Sequence, residues 1–89
     1  MGPRVSQPSD RVRSPPPTLE SLFRTQRLPM VRLAHLITGS NALAEEVVQE
    51  AFIRLQEHWE RADNPAAYLR AIVVNLCRTQ VRRREHERR

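Results

Sequence analysis

Residues 43–55 read LAEEVVQEAFIRL, and this stretch decides the fold. At about 100° per residue, Ala44, Val47, Val48, Ala51 and Leu55 fall on one side of a helix, and Trp59 continues the line. Glu46, Gln49, Glu50, Ile53 and Glu57 fall on the opposite side. The pattern predicts an amphipathic helix with an acidic outer face, running to about His58.

Working upstream, the Thr38-Gly39-Ser40-Asn41 cluster breaks the helical spacing. Gly39 suits a left-handed C-terminal cap, and either Ser40 or Asn41 can cap the helix that follows. Before it, Leu19, Leu22, Phe23, Met30, Leu33, Leu36 and Ile37 recur at helical spacing, interrupted by Pro29. Proline cannot donate the hydrogen bond that a helix interior needs, so two short helices or one kinked helix are expected. Residues 1–18 hold five of the seven prolines and almost no large hydrophobes. They read as a disordered Pro/Arg-rich leader, with a polyproline ligand at Pro15-Pro16-Pro17 as the alternative.

Downstream, residues 60–64 form a short polar loop, and Asn64-Pro65 is a restart signal, because asparagine caps while proline fits the first helical position. A last helix is expected from Pro65 to about Arg84, burying Leu69, Ile72, Val73 and Leu76. Residues 85–89 have nothing to bury and should fray. No stretch alternates as a strand would. The expectation is an all-α, compact bundle of three to four helices over residues 19–84.

Composition narrows the function. The chain has 89 residues and a formal net charge of +5, and its 15 basic side chains are all arginine. Such a chain has room for one small, marginally stable domain. Arginine binds phosphate as a planar fork, which suits a nucleic-acid partner. Cys77 is the single cysteine, which rules out an intrachain disulfide and reads as a small buried hydrophobe. His35, His58 and His86 sit on separate segments and make no metal or catalytic set, so neither an enzyme nor a cofactor is expected. No apolar run approaches the roughly 20 residues of a membrane span, and no secretory signal is visible. A soluble cytoplasmic protein with no membrane partner is expected.

The charge is segregated. Residues 42–60 carry five carboxylates against Arg54, while residues 61–89 carry eight arginines against three carboxylates. Two neighbouring segments of opposite sign can face two different partners, or can pair with each other. On the last helix, Tyr68, Ala71, Asn75, Arg78, Thr79 and Arg82 share a polar stripe away from the buried side. Arg78 and Arg82 can reach phosphates, Asn75 offers a paired donor and acceptor to a base edge, and Tyr68 has a flat face for stacking. Trp59 reads as core packing, since it continues an apolar face.

The LAEEVVQEAFIRL run, then Trp59, then NPAAYLRAIVVN over residues 64–75 together resemble region 2 of bacterial RNA polymerase sigma factors. The family is sigma-70 and the group the extracytoplasmic-function (ECF) one. LPMVRLAHLITGS, residues 28–40, is similar to the first helix of its actinobacterial branches. The resemblance implies two surfaces. Glu46, Gln49, Glu50 and Ile53, with Arg54 beside them, would dock on the clamp helices of the largest subunit of core RNA polymerase. Glu60, Arg61, Ala62, Asp63 and Asn64, with Tyr68, Asn75, Arg78 and Arg82, would hold the non-template strand of the promoter −10 element with one base flipped out. An anti-sigma factor is a further partner that the resemblance implies. Region 4, which reads the −35 element in full-length members, is not expected within these residues. The competing readings are a helical interaction protein that titrates an anti-sigma factor, and a basic DNA binder without sequence preference.

Overall fold

The computed structural model describes residues 16–88, and the expectation for the leader falls largely outside them. Among the described residues the architecture is all-α, as expected. It has α1 (Leu19–Thr38), α2 (Asn41–Glu57), a single 3₁₀ turn (Trp59–Arg61) and α3 (Pro65–Arg88). Each helix packs on the other two.

Helix α1 begins with a capping box that the sequence reading did not anticipate. The Thr18 hydroxyl accepts from the Ser21 N–H, and the Ser21 hydroxyl accepts from the Thr18 N–H, both at 3.0 Å. The helix then runs through Pro29 without a break, so of the two expected readings, two short helices or one kinked helix, the two separate helices are ruled out. A proline inside a helix costs about 3 kcal/mol. Burial on both sides of it offsets that cost: Leu22 lies before it, Met30, Val31 and Ala34 after it, all in one core. Each of the larger ones contributes roughly 1.5–3 kcal/mol. Pro29 itself is exposed, so its ring displaces no packed neighbour.

Gly39 closes α1 in the left-handed conformation, φ 72°, and its N–H donates to the His35 carbonyl at 2.7 Å. The Ser40 hydroxyl then accepts from the Leu43 N–H at 3.1 Å and starts α2, which settles the choice between Ser40 and Asn41. Helix α2 buries Ala44, Val47, Val48, Ala51 and Leu55 as expected, and Phe52 as well. Trp59 begins the 3₁₀ turn and is half-buried against the core.

Helix α3 starts where Asn64 caps it, Oδ1 accepting from the Ala67 N–H at 3.2 Å. Its fully buried residues are Leu69, Val73 and Cys77, four apart. Ile72 and Leu76, expected in the same row, are only partly buried at its edge. The buried face is thus rotated toward Cys77, by roughly half of one residue's 100° step. Burial also pushes the Cys77 thiol above its usual pKa, because the thiolate would be desolvated. The helix extends to Arg88, so residues 85–88, expected to fray, are helical here. No glycine or proline interrupts the run after Pro65.

Arg84 makes a contact across 46 residues, donating from Nη1 to the Thr38 carbonyl at 3.1 Å. That carbonyl sits at the C-terminus of α1, where backbone acceptors lack helical partners and a cation is favoured. Replacing Arg84 with Ala should lower the unfolding free energy by about 1 kcal/mol, since the group is only part-buried. Arg84→Lys should recover some of the loss. Urea denaturation reads both, and an unchanged midpoint in Arg84→Ala would remove the contact from the account of stability.

Candidate functional surfaces

The outer face of α2 presents the expected set. Glu46, Gln49, Ile53 and Arg54 are exposed and Glu50 is half-buried. They are spaced three and four apart, so they form one continuous strip. Within it Arg54 Nε donates to Glu50 Oε2 at 3.0 Å. Ile53 is 45% exposed, an apolar residue in a mostly acidic strip.

Along one side of this strip lies an open groove of about 710 Å³ between α1 and α2, lined by Leu19, Phe23, Val48, Gln49, Phe52 and Ile53 among others. Phe23 meets Phe52 edge to face, with centroids 5.1 Å apart, yet stays 50% exposed. Spacing alone had counted Phe23 and Leu36 with the apolar positions of α1, and Leu36 is 82% exposed. Leu36 falls outside the arc of Leu22, Met30 and Ala34, and helical angle alone could have shown it. Phe23 lies within that arc, and its exposure follows only from where α2 meets α1.

Among the described residues the two oppositely charged segments do not pair with each other. The ion pairs among the described residues are Glu20–Arg24, Arg27–Glu45 and Glu50–Arg54. The acidic helix therefore pairs with α1 and with itself, and the described arginines of α3 form no ion pair, Arg84 alone being engaged, with the Thr38 carbonyl.

On α3 the expected stripe borders several depressions, one of which Thr79 and Arg82 share. Tyr68, 37% exposed, and the exposed Asn75 and Thr79 line a depression of about 250 Å³ together with Arg54, His58, Ile72 and Leu76. Arg78 and Arg82 are exposed but border another depression, with Ile37 and Val81. Of the loop residues, Glu60 and Arg61 lie in the 3₁₀ turn, and Glu60, Arg61, Asp63 and Asn64 are exposed. Ala62 is half-buried against the core, which takes much of its surface from any ligand. Asn64 spends its side-chain oxygen on the helix cap.

Two residues join the depression that sequence reasoning had not put there. By helix face Arg54 belongs to the protein-facing strip, and residue spacing gives His58 no place on either surface. The His58 ring stands T-shaped to Tyr68, centroids 6.3 Å apart and 71° between planes. No cluster of three or more potential metal ligands occurs among the described residues. No described helix is long and apolar enough to cross a membrane.

A family model described as Sigma-70 region 2 matches residues 22–87, which takes in α2 whole and nearly all of α1 and α3. No curated protein and no solved structure matches the chain. The matched span covers well over half of the sequence and contains both surfaces described above. The chain belongs to the sigma-70 region 2 family, whose members bind RNA polymerase and act in promoter melting at transcription initiation, and are not enzymes.

Proposed function

We propose that this chain is the −10-recognising module of a sigma factor of the ECF group. In this reading the α2 strip of Glu46, Gln49, Glu50, Ile53 and Arg54 docks on the clamp helices of the polymerase largest subunit. The 3₁₀ turn and loop at Glu60–Asn64, with Tyr68, Asn75, Arg78 and Arg82, take the non-template strand of the −10 element. The work is capture, not chemistry: a base leaving the duplex loses stacking worth a few kcal/mol, and an aromatic platform in a concavity returns part of it. Such a module works where the polymerase is, in the cytoplasm.

The observation that carries this reading is the pairing of exposed Tyr68 with exposed Asn75 in one depression, on the side of α3 away from its buried row. An aromatic face beside an amide is what base capture with edge readout requires, and a merely solvated helix face has no need of it.

A single-stranded non-template −10 oligonucleotide should bind more tightly than its scrambled counterpart. Asn75→Ala should shrink that difference by about 1–3 kcal/mol of discrimination, the worth of one good base contact. Fluorescence anisotropy at moderate salt reads both. Equal binding of the two oligonucleotides would instead favour a sequence-indifferent basic binder, for which a steep salt dependence is the mark.

A further inference from the structure

We propose that His58 is a base-discriminating residue of the strand-binding surface, completing with Arg54, Tyr68 and Asn75 a pocket for one nucleobase that carries an exocyclic amine. The inference rests on the single-strand reading above and deepens it. It reassigns Arg54 in part from the protein-facing strip to the nucleic acid.

Size comes first. The depression of about 250 Å³ lies below the roughly 300–1,000 Å³ of pockets for drug-sized ligands, which leaves room for a single base and little else. Tyr68 and His58, at 71° to each other, form a corner in which a base lying on one ring meets the other ring with its edge. Base stacking on one aromatic side chain and in-plane hydrogen bonding from its neighbour are then available together.

Hydrogen bonding sets the preference. His58 Nδ1 lies 3.1 Å from the Arg54 carbonyl oxygen. A carbonyl oxygen only accepts, so the hydrogen of that bond is on Nδ1. In the neutral ring this leaves Nε2 as a lone-pair acceptor, and the bond fixes how the ring is turned. An acceptor at the wall of a base pocket selects a base with an amine to donate. Asn75 supplies the complementary donor and acceptor from an exposed side-chain amide, and the Thr79 hydroxyl one turn on donates to its backbone oxygen, at 3.1 Å, rather than to that amide.

Arg54 supplies the charge. Its Nε is engaged by Glu50, which leaves the terminal guanidinium nitrogens for a phosphate of the same nucleotide. The Glu50 pair thus holds Arg54 at the junction of the two surfaces.

The test uses the full 89-residue chain and two labelled single strands that differ only in adenine against unsubstituted purine, which lacks the amine. Wild type should prefer the adenine strand by roughly 3- to 10-fold, the worth of one hydrogen bond. His58→Phe keeps an aromatic ring and removes the acceptor. It should hold the purine strand within about twofold of wild type while losing the preference. His58→Ala removes ring and acceptor, and should weaken both strands. A thermal melt by circular dichroism checks that each variant folds, and a purely structural His58 would lower the melting point without moving the preference. Retention of the adenine preference by folded His58→Phe, or its absence from wild type that binds both strands well, overturns the proposal for His58 alone. Failure of wild type to bind either strand overturns the single-strand reading along with it.

Discussion

Leu55→Ala should lower the unfolding free energy by about 2–5 kcal/mol, the range for deleting a buried leucine side chain whose cavity only partly collapses. Leu55 is fully buried near the end of α2, in the same core as Leu69 and Val73 of α3 and Met30 and Val31 of α1. Domains have about 5–15 kcal/mol in total, and a three-helix unit of this size belongs near the lower end. One truncation therefore removes a large fraction of what holds the bundle, and with it both surfaces. Leu36→Ala is the matched control, because Leu36 is exposed on α1 and its loss should change stability by less than about 0.5 kcal/mol. Urea denaturation followed by circular dichroism measures the pair. A parent-like midpoint for Leu55→Ala would mean that α2 does not present this face to the core.

Much of this fold is legible in the sequence wherever the cause is local. Gly39 ends α1, Ser40 and Asn64 start the next helices, and the Ala44-to-Leu55 spacing gives the buried face of α2. Each depends on chemistry within about one helical turn of itself. Three features escape for the opposite reason. The continuity of α1 through Pro29 depends on what Met30 and Val31 bury against, so tertiary packing overrides local propensity there. The Arg84–Thr38 contact joins residues 46 apart. The rotation of α3 toward Cys77 shifts Ile72 and Leu76 to the edge of the core, and no helical wheel fixes the angle at which one helix meets another.

The candidate site divides in the same way. Tyr68 and Asn75 are visible as one stripe because they lie seven residues apart on one helix. That Arg54 and His58 share their depression is a fact of how the end of α2 lies against α3, and residue spacing within either helix is silent about it. Arg78 and Arg82 show the converse: one stripe in sequence, but a different concavity once Ile37 of α1 and Val81 of α3 are in place. Grouping residues by helix face finds the members of a surface. Grouping them by cavity requires the packed bundle.

Glu50→Arg should weaken capture of core RNA polymerase by about tenfold or more, which is about 1.4 kcal/mol or more of binding free energy. The substitution reverses charge in the middle of the α2 strip, so a partner surface complementary to its carboxylates would be repelled instead of attracted, and it should also flatten the salt dependence of association. The fold should survive, since the Glu50–Arg54 pair is about half exposed and such pairs contribute roughly 0.3–0.5 kcal/mol. Ile53→Ala should also reduce capture, through lost apolar contact and with no change in salt dependence, because Ile53 carries no charge. Single-strand binding provides the internal contrast. Glu50→Arg costs Arg54 the partner that orients it but adds positive charge beside Tyr68 and Asn75, so oligonucleotide affinity should hold or rise in the same protein whose polymerase capture falls. A common loss of both activities would point to unfolding and not to docking. Undiminished capture by both Glu50→Arg and Ile53→Ala would remove the polymerase from this face, and leave the exposed Phe23 and Ile53 beside the groove to be explained by another protein partner such as an anti-sigma factor.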